Sequence, residues 1–125
     1  MVIKQLALIC SGASLGALCR YMCILFFKSA SYPFATIIVN ILGCFCIGFL
    51  WGAFNSSLSD EVRLFLVVGF LSALTTFSSY GLDIVTLIDQ QNIKMAVLYI
   101  FISNGLGLTA LYLGSFMSKY IKTIW

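Results

Sequence analysis

Between Gly69 and Gly81 the chain reads GFLSALTTFSSYG. Ser72, Thr75, Thr76, Ser78 and Ser79 place five hydroxyls within eight residues around Phe77, and Tyr80 follows three positions later. One hydroxyl in an apolar helix bonds back to its own backbone, whereas this density predicts a local break or a polar passage. A break releases carbonyls that coordinate cations and N–H groups that face anions. Phe77 and Tyr80 share a face if the segment is helical there, and an aromatic ring has an electropositive edge. Rings turned edge-on would meet an anion without the full charge that traps it; plain packing of the two rings is the alternative.

Beyond this cluster, apolar runs retain Arg20, Asn40, Asp83, Ser103 and Asn104. A polar group at membrane depth is a site hypothesis by default. The competing roles are snorkelling for Arg20, an interfacial carboxylate for Asp83, and interhelical hydrogen bonding for Asn40 and Asn104. The residues do not assemble a catalytic or metal set: the chain has no histidine and no CxxC, and Cys10, Cys19, Cys23, Cys44 and Cys46 sit in apolar runs as small hydrophobes. Nor is there a GxxxxGK[ST] phosphate loop or a series of buried acids for a proton relay, so passive passage is expected rather than an enzyme or a driven pump.

These residues must be positioned by elements that fit a strongly apolar chain. Of 125 residues, 62% are hydrophobic and 9% charged, with a mean hydropathy of +1.08. Soluble domains carry about 25% charged and about 45–50% apolar residues, so a membrane protein is expected. Four apolar stretches, near 5–27, 35–54, 64–88 and 95–117, each reach the roughly 20 residues that span a bilayer as a helix. The expected architecture is all-α, a single four-span transmembrane domain over 1–125. That leaves no room for a soluble enzyme, a ligand-binding ectodomain or a nucleotide-binding domain. The first stretch, after Lys4, reads as a transmembrane helix rather than a signal peptide. Connectors contain Lys28, Ser29, Ser31 and Pro33, then 55–61, then 89–92; Ser59 with Asp60 and Glu61 predicts an N-cap and an acidic first turn. Gly12-x-x-x-Gly16 and Gly48-x-x-x-Gly52 allow close helix contact, within a subunit or between subunits.

The net charge of +3 is spread along the chain, with no run suited to nucleic acid. Four spans put both termini on one side, with Lys4, Arg63, Lys119 and Lys122; Lys28 and Lys94 lie opposite, with Arg20 as a third. By the positive-inside rule this weak bias favours an ordinary termini-inside protein over one that inserts both ways.

The residues also resemble a known family, the Fluc/CrcB fluoride channels, over nearly the whole chain. The likeness rests on the run from Gly12 to Tyr21, glycine-rich and passing through Arg20, and on the run from Pro33 to Gly43, similar to P-x-G-T-L-x-x-N-x-x-G. It rests further on Leu74 to Tyr80, similar to the end of G-G-x-T-T-F-S-T-F, and on Tyr99, Ser103 and Gly107 at four-residue spacing. The resemblance implies a passive, fluoride-selective channel that exports fluoride and lowers its toxicity. It implies an antiparallel dual-topology dimer with a broken third helix, two pores and a central structural sodium ion, in a bacterial plasma membrane. In that light, the weak charge bias fits a chain that inserts both ways.

Carried over by residue, the resemblance makes Asn40, Phe77, Ser78, Ser79, Tyr80, Tyr99 and Ser103 the fluoride pore. Asp83 and Arg20 become vestibule residues, and the backbone carbonyls of Ser72 and Thr75 become sodium ligands. The implied partners are fluoride, sodium, membrane lipid and a second copy, or a paralogous subunit. Departures from the family pattern are Tyr80 for phenylalanine, Ser72-Ala73 for Gly-Gly, Ala35 for glycine and Gly107 for serine. Two rivals of other classes are a four-span proton-coupled exporter of cationic compounds, which needs a carboxylate in the first span where only Arg20 stands, and a non-conducting accessory subunit.

Overall fold

A computed structural model describes residues 1–27, 33–54 and 58–124. Lys28, Ser29, Ser31, Asn55, Ser56 and Ser57, expected in connectors, lie outside the described residues. The described chain is helical. Helix α1 covers Val2–Phe26 and α2 covers Phe34–Phe54. Helix α3 runs over 60–74, α4 over Phe77–Asp89 and α5 over Ile93–Ile124. Among the described residues, four helical segments, with α3 and α4 together forming the third, are long and apolar enough to cross a membrane. Their surfaces fit lipid: Leu108 and Tyr112 are each 69% exposed, a poor arrangement for water and an ordinary one for acyl chains.

The helices form two tight seams. In the first, Gly12 and Gly16 of α1 are buried against the backbone of α3, where a Cβ would collide with the carbonyls of Phe65 and Phe70; Gly69 answers from α3 against the Ile9 carbonyl. In the second, Gly48 of α2 meets the Leu111 carbonyl of α5, and Gly114 of α5 meets that of Phe45. Both glycine pairs are thus used within the subunit, which small-residue packing in membranes favours because it brings backbones together. At one rim an ion pair between Lys4 and Glu61 ties the starts of α1 and α3 together.

Helix α3 begins as expected: the Ser59 hydroxyl accepts the Val62 N–H, and Asp60 and Glu61 occupy the first turn. It then widens into a π-helical stretch, Arg63–Leu71, before a last α-helical turn, Ser72–Leu74. The helix stops at Thr75 and Thr76, whose backbones are extended, with ψ of 154° and 126°. The break lies near the middle of the third span, inside the hydroxyl cluster that predicts it. After α4, Gln91 takes a left-handed backbone with φ of 58°, and the Asn92 side chain accepts the Met95 N–H to start α5. Tyr80, Leu87, Ala96 and Tyr99 form a small buried core between α4 and α5, with Ile37 of α2 packed on it. This core fixes the position of α4 beyond the break.

Candidate functional site: a polar cleft at the helix break

Two interactions hold the break. The Asn40 amide on α2 bonds both backbone groups of Thr76: its Oδ1 accepts the Thr76 N–H at 2.8 Å, and its Nδ2 donates to the Thr76 carbonyl at 3.1 Å. The Thr76 hydroxyl, in turn, caps α4 by accepting the Ser79 N–H at 3.2 Å, and lies 3.0 Å from the Ser78 hydroxyl and 3.3 Å from that of Ser79. Gly43, one turn after Asn40 on α2, makes room for the Thr75 side chain, whose methyl occupies the place of a Cβ there.

These bonds redirect donors. In a continuous helix the Thr76 N–H would serve the Ser72 carbonyl and the Ser79 N–H the Thr75 carbonyl. Here the first goes to Asn40 and the second to the Thr76 hydroxyl. The Leu71 carbonyl, by contrast, keeps its helical donor at Thr75 N–H and gains the Thr75 hydroxyl. The carbonyls whose helical donors are redirected thus include the pair expected to face a cation.

A cleft of about 430 Å³ opens beside the break. Of the residues singled out in the sequence, Asn40, Cys44, Ser72, Thr75, Thr76, Phe77, Tyr80, Ser103, Asn104 and Gly107 line it, joined by Ile47 and Leu108. Among the described residues no formally charged side chain lines it. The Ser103 hydroxyl is buried and has no hydrogen-bond partner among the described residues. That is unusual here, because Ser14, Thr86, Thr109 and Thr123 all donate back to the carbonyl four residues earlier.

The aromatic residues form a ladder that runs inward from this cleft. The Phe77 and Tyr80 ring centroids are 5.4 Å apart and those of Tyr80 and Tyr99 are 5.3 Å apart. Phe77, at the outer end, is 82% exposed, whereas Tyr80 and Tyr99 are buried. Beneath Tyr99 lies Asp83, 6% exposed, whose Oδ2 accepts the Tyr99 hydroxyl at 2.8 Å. Asp83 and Tyr99 therefore stand behind the cleft wall. Ser78 and Ser79 belong to the capped first turn of α4. Arg20 is half-buried on α1 and does not line the cleft.

Two roles were not legible in the sequence. The backbone-clamping role of Asn40 joins residues 36 positions apart, and Gly43 matters only because Thr75 turns toward it. The N-x-x-G spacing of Asn40 and Gly43 was the available signal for both.

The family of the chain follows from comparisons against known proteins. Residues 7–115 match the family model described as CrcB-like protein, Camphor Resistance (CrcB). A relative from Desulforapulum autotrophicum, named fluoride-specific ion channel FluC, is 39% identical over 115 residues, covering 88% of this chain and 92% of its own. One from Helicobacter pylori with the same name is 40% identical, covering 86% and 88%. Another from Parabacteroides distasonis, also so named, is 42% identical, covering 75% and 74%. A family match across most of the residues, with relatives this similar along nearly their whole length, shows that the chain belongs to the CrcB family.

Proposed function

We propose that this protein is a passive fluoride channel that lets fluoride leave the cytoplasm across a plasma membrane, acting as a single four-span domain. The observation that carries this reading is the uncharged cleft with an unpartnered Ser103 hydroxyl, in a chain whose relatives are named fluoride-specific channels. Fluoride is small and strongly hydrated, so its path must replace water with donors yet avoid fixed positive charge that would hold it. The hydroxyls of Ser103, Ser78 and Ser79, the remaining Asn40 N–H and the ring edges of Phe77 and Tyr80 are donors of that kind. Fluoride enters cells as neutral HF and dissociates there, so a passive exit is enough to lower it.

The pore is completed by a second copy in antiparallel orientation, giving two pores per dimer. Supporting this, Phe77 at the cleft rim is 82% exposed among the described residues. The Ser72 and Thr75 carbonyls fit a structural sodium ion, since their helical donors are redirected to Asn40 and Thr76. A bound sodium would supply positive potential beside the path. Tyr99 and Asp83 back the cleft, and Arg20 stands apart at the vestibule.

Anion efflux from liposomes containing the purified chain alone tests the reading. Fluoride loss without chloride loss is the expected result; a chain silent alone but active with a paralogous subunit would replace the homodimer by a heterodimer, and chloride loss equal to fluoride loss would refute selectivity.

A further inference from the structure

The Asn104 side chain on α5 makes two donations from one nitrogen: its Nδ2 lies 2.8 Å from the Ile100 carbonyl and 2.8 Å from the Tyr80 hydroxyl oxygen. The first bond fixes the second. A carbonyl oxygen only accepts, so an amide flipped by half a turn would set Oδ1 against the Ile100 oxygen; the NH2 must face that side. Tyr80 is therefore the acceptor from Asn104, and its own proton is directed elsewhere. Among the described residues none accepts it, although Tyr80 is 8% exposed and is one of the residues lining the polar cleft. The Ser103 hydroxyl, one residue before Asn104, lines the same cleft and is likewise unclaimed.

We propose that Asn104 is a positioning residue that holds Tyr80 as a hydrogen-bond donor to a small desolvated anion in the cleft, making Tyr80 a specificity residue acting beside Ser103. The inference deepens the channel reading and rests on it for the identity of the anion, fluoride. A phenolic O–H polarised by a bond received at its oxygen is a stronger donor than an isolated one, since linked hydrogen bonds reinforce each other. It adds to a ring edge a directional contact that a small, strongly accepting anion uses better than a large diffuse one.

The test pairs fluoride efflux with infrared difference spectra of the purified protein on adding sodium fluoride, with sodium chloride as control. Tyr80→Phe and Asn104→Leu are each expected to slow fluoride efflux by about tenfold, as loss of one anion hydrogen bond implies. The double variant is expected to be no slower than either single one, because Asn104 acts through Tyr80. Fluoride, and not chloride, is expected to shift a tyrosine C–O band that vanishes in Tyr80→Phe and no longer shifts in Asn104→Leu. Losses that multiply in the double variant, or a Tyr80→Phe channel as fast as the native one, would overturn the proposal. So would the absence of the fluoride-sensitive band, whatever the flux. A native protein that shows the band but passes no fluoride would leave this anion contact standing and refute the channel reading instead.

Discussion

The glycine seams and the helix break solve opposite problems with the same backbone. Along α1 against α3, and α2 against α5, glycines let backbones touch without interrupting either helix, so cohesion comes from van der Waals contact. At Thr75 and Thr76 the helical ladder is interrupted, and cohesion comes from side chains that replace the lost backbone partners. The seams tolerate no added atoms; the break tolerates no lost donors or acceptors. Rigid seams are what permit the break, because α3 is anchored along α1 before the chain becomes irregular and α4 is clamped against α5 afterward.

If this division is right, the largest effect comes from filling a seam. Gly16→Leu drives a side chain into the Phe70 carbonyl, a backbone atom that cannot swing aside. Overpacking of cores costs about 1–3 kcal/mol and more when backbone must move, so the expected outcome is loss of monodisperse protein on size exclusion in detergent. Next comes Asn40→Ala, which leaves both Thr76 backbone groups without their partner. Each unsatisfied buried group costs about 1–3 kcal/mol. A protein that still assembles but melts many degrees lower, with fluoride efflux abolished, is expected. Equal melting temperatures would show that Asn40 is only a pore-lining donor and not a clamp. Thr76→Val removes the α4 cap, a change of about 0.5–2 kcal/mol, whereas Thr76→Ser retains the capping hydroxyl and is expected to melt within a degree or two of the native protein.

The two regions also differ in what the residues disclose. Hydropathy locates the four spans, because length and apolar content are local properties. The hydroxyl cluster likewise locates the break, since its residues are adjacent in the chain. The π-helical stretch Arg63–Leu71 leaves no such mark: RLFLVVGFL reads as an ordinary apolar helix, although it is the stretch that packs on α1. The glycine pairs announce close contact but not which partner, and only the fold assigns Gly12 to α3 and Gly48 to α5. Asn104 is recognisable as a polar residue at depth, yet its bond to Tyr80 depends on the rotation of α5 against α4, which periodicity does not fix. Roles built from neighbours in sequence were readable, and roles built from neighbours in space were not.

The smallest expected effect is the sharpest probe of the seams. Gly105 lies in the interior of α5, where a Cβ would meet nothing within 4 Å, in contrast to Gly114 on the same helix, where it would strike the Phe45 carbonyl. An unconstrained helical glycine is less favourable than alanine by about 0.8–1.0 kcal/mol. Gly105→Ala is therefore expected to raise the melting temperature slightly, and Gly114→Ala to lower it by several times as much. A loss of stability in Gly105→Ala would mean that another surface approaches α5 as closely as α2 approaches Gly114. Because the described residues supply no such surface at Gly105, that surface would belong to a second subunit, and the same glycine chemistry that joins helices within the monomer would then also join monomers.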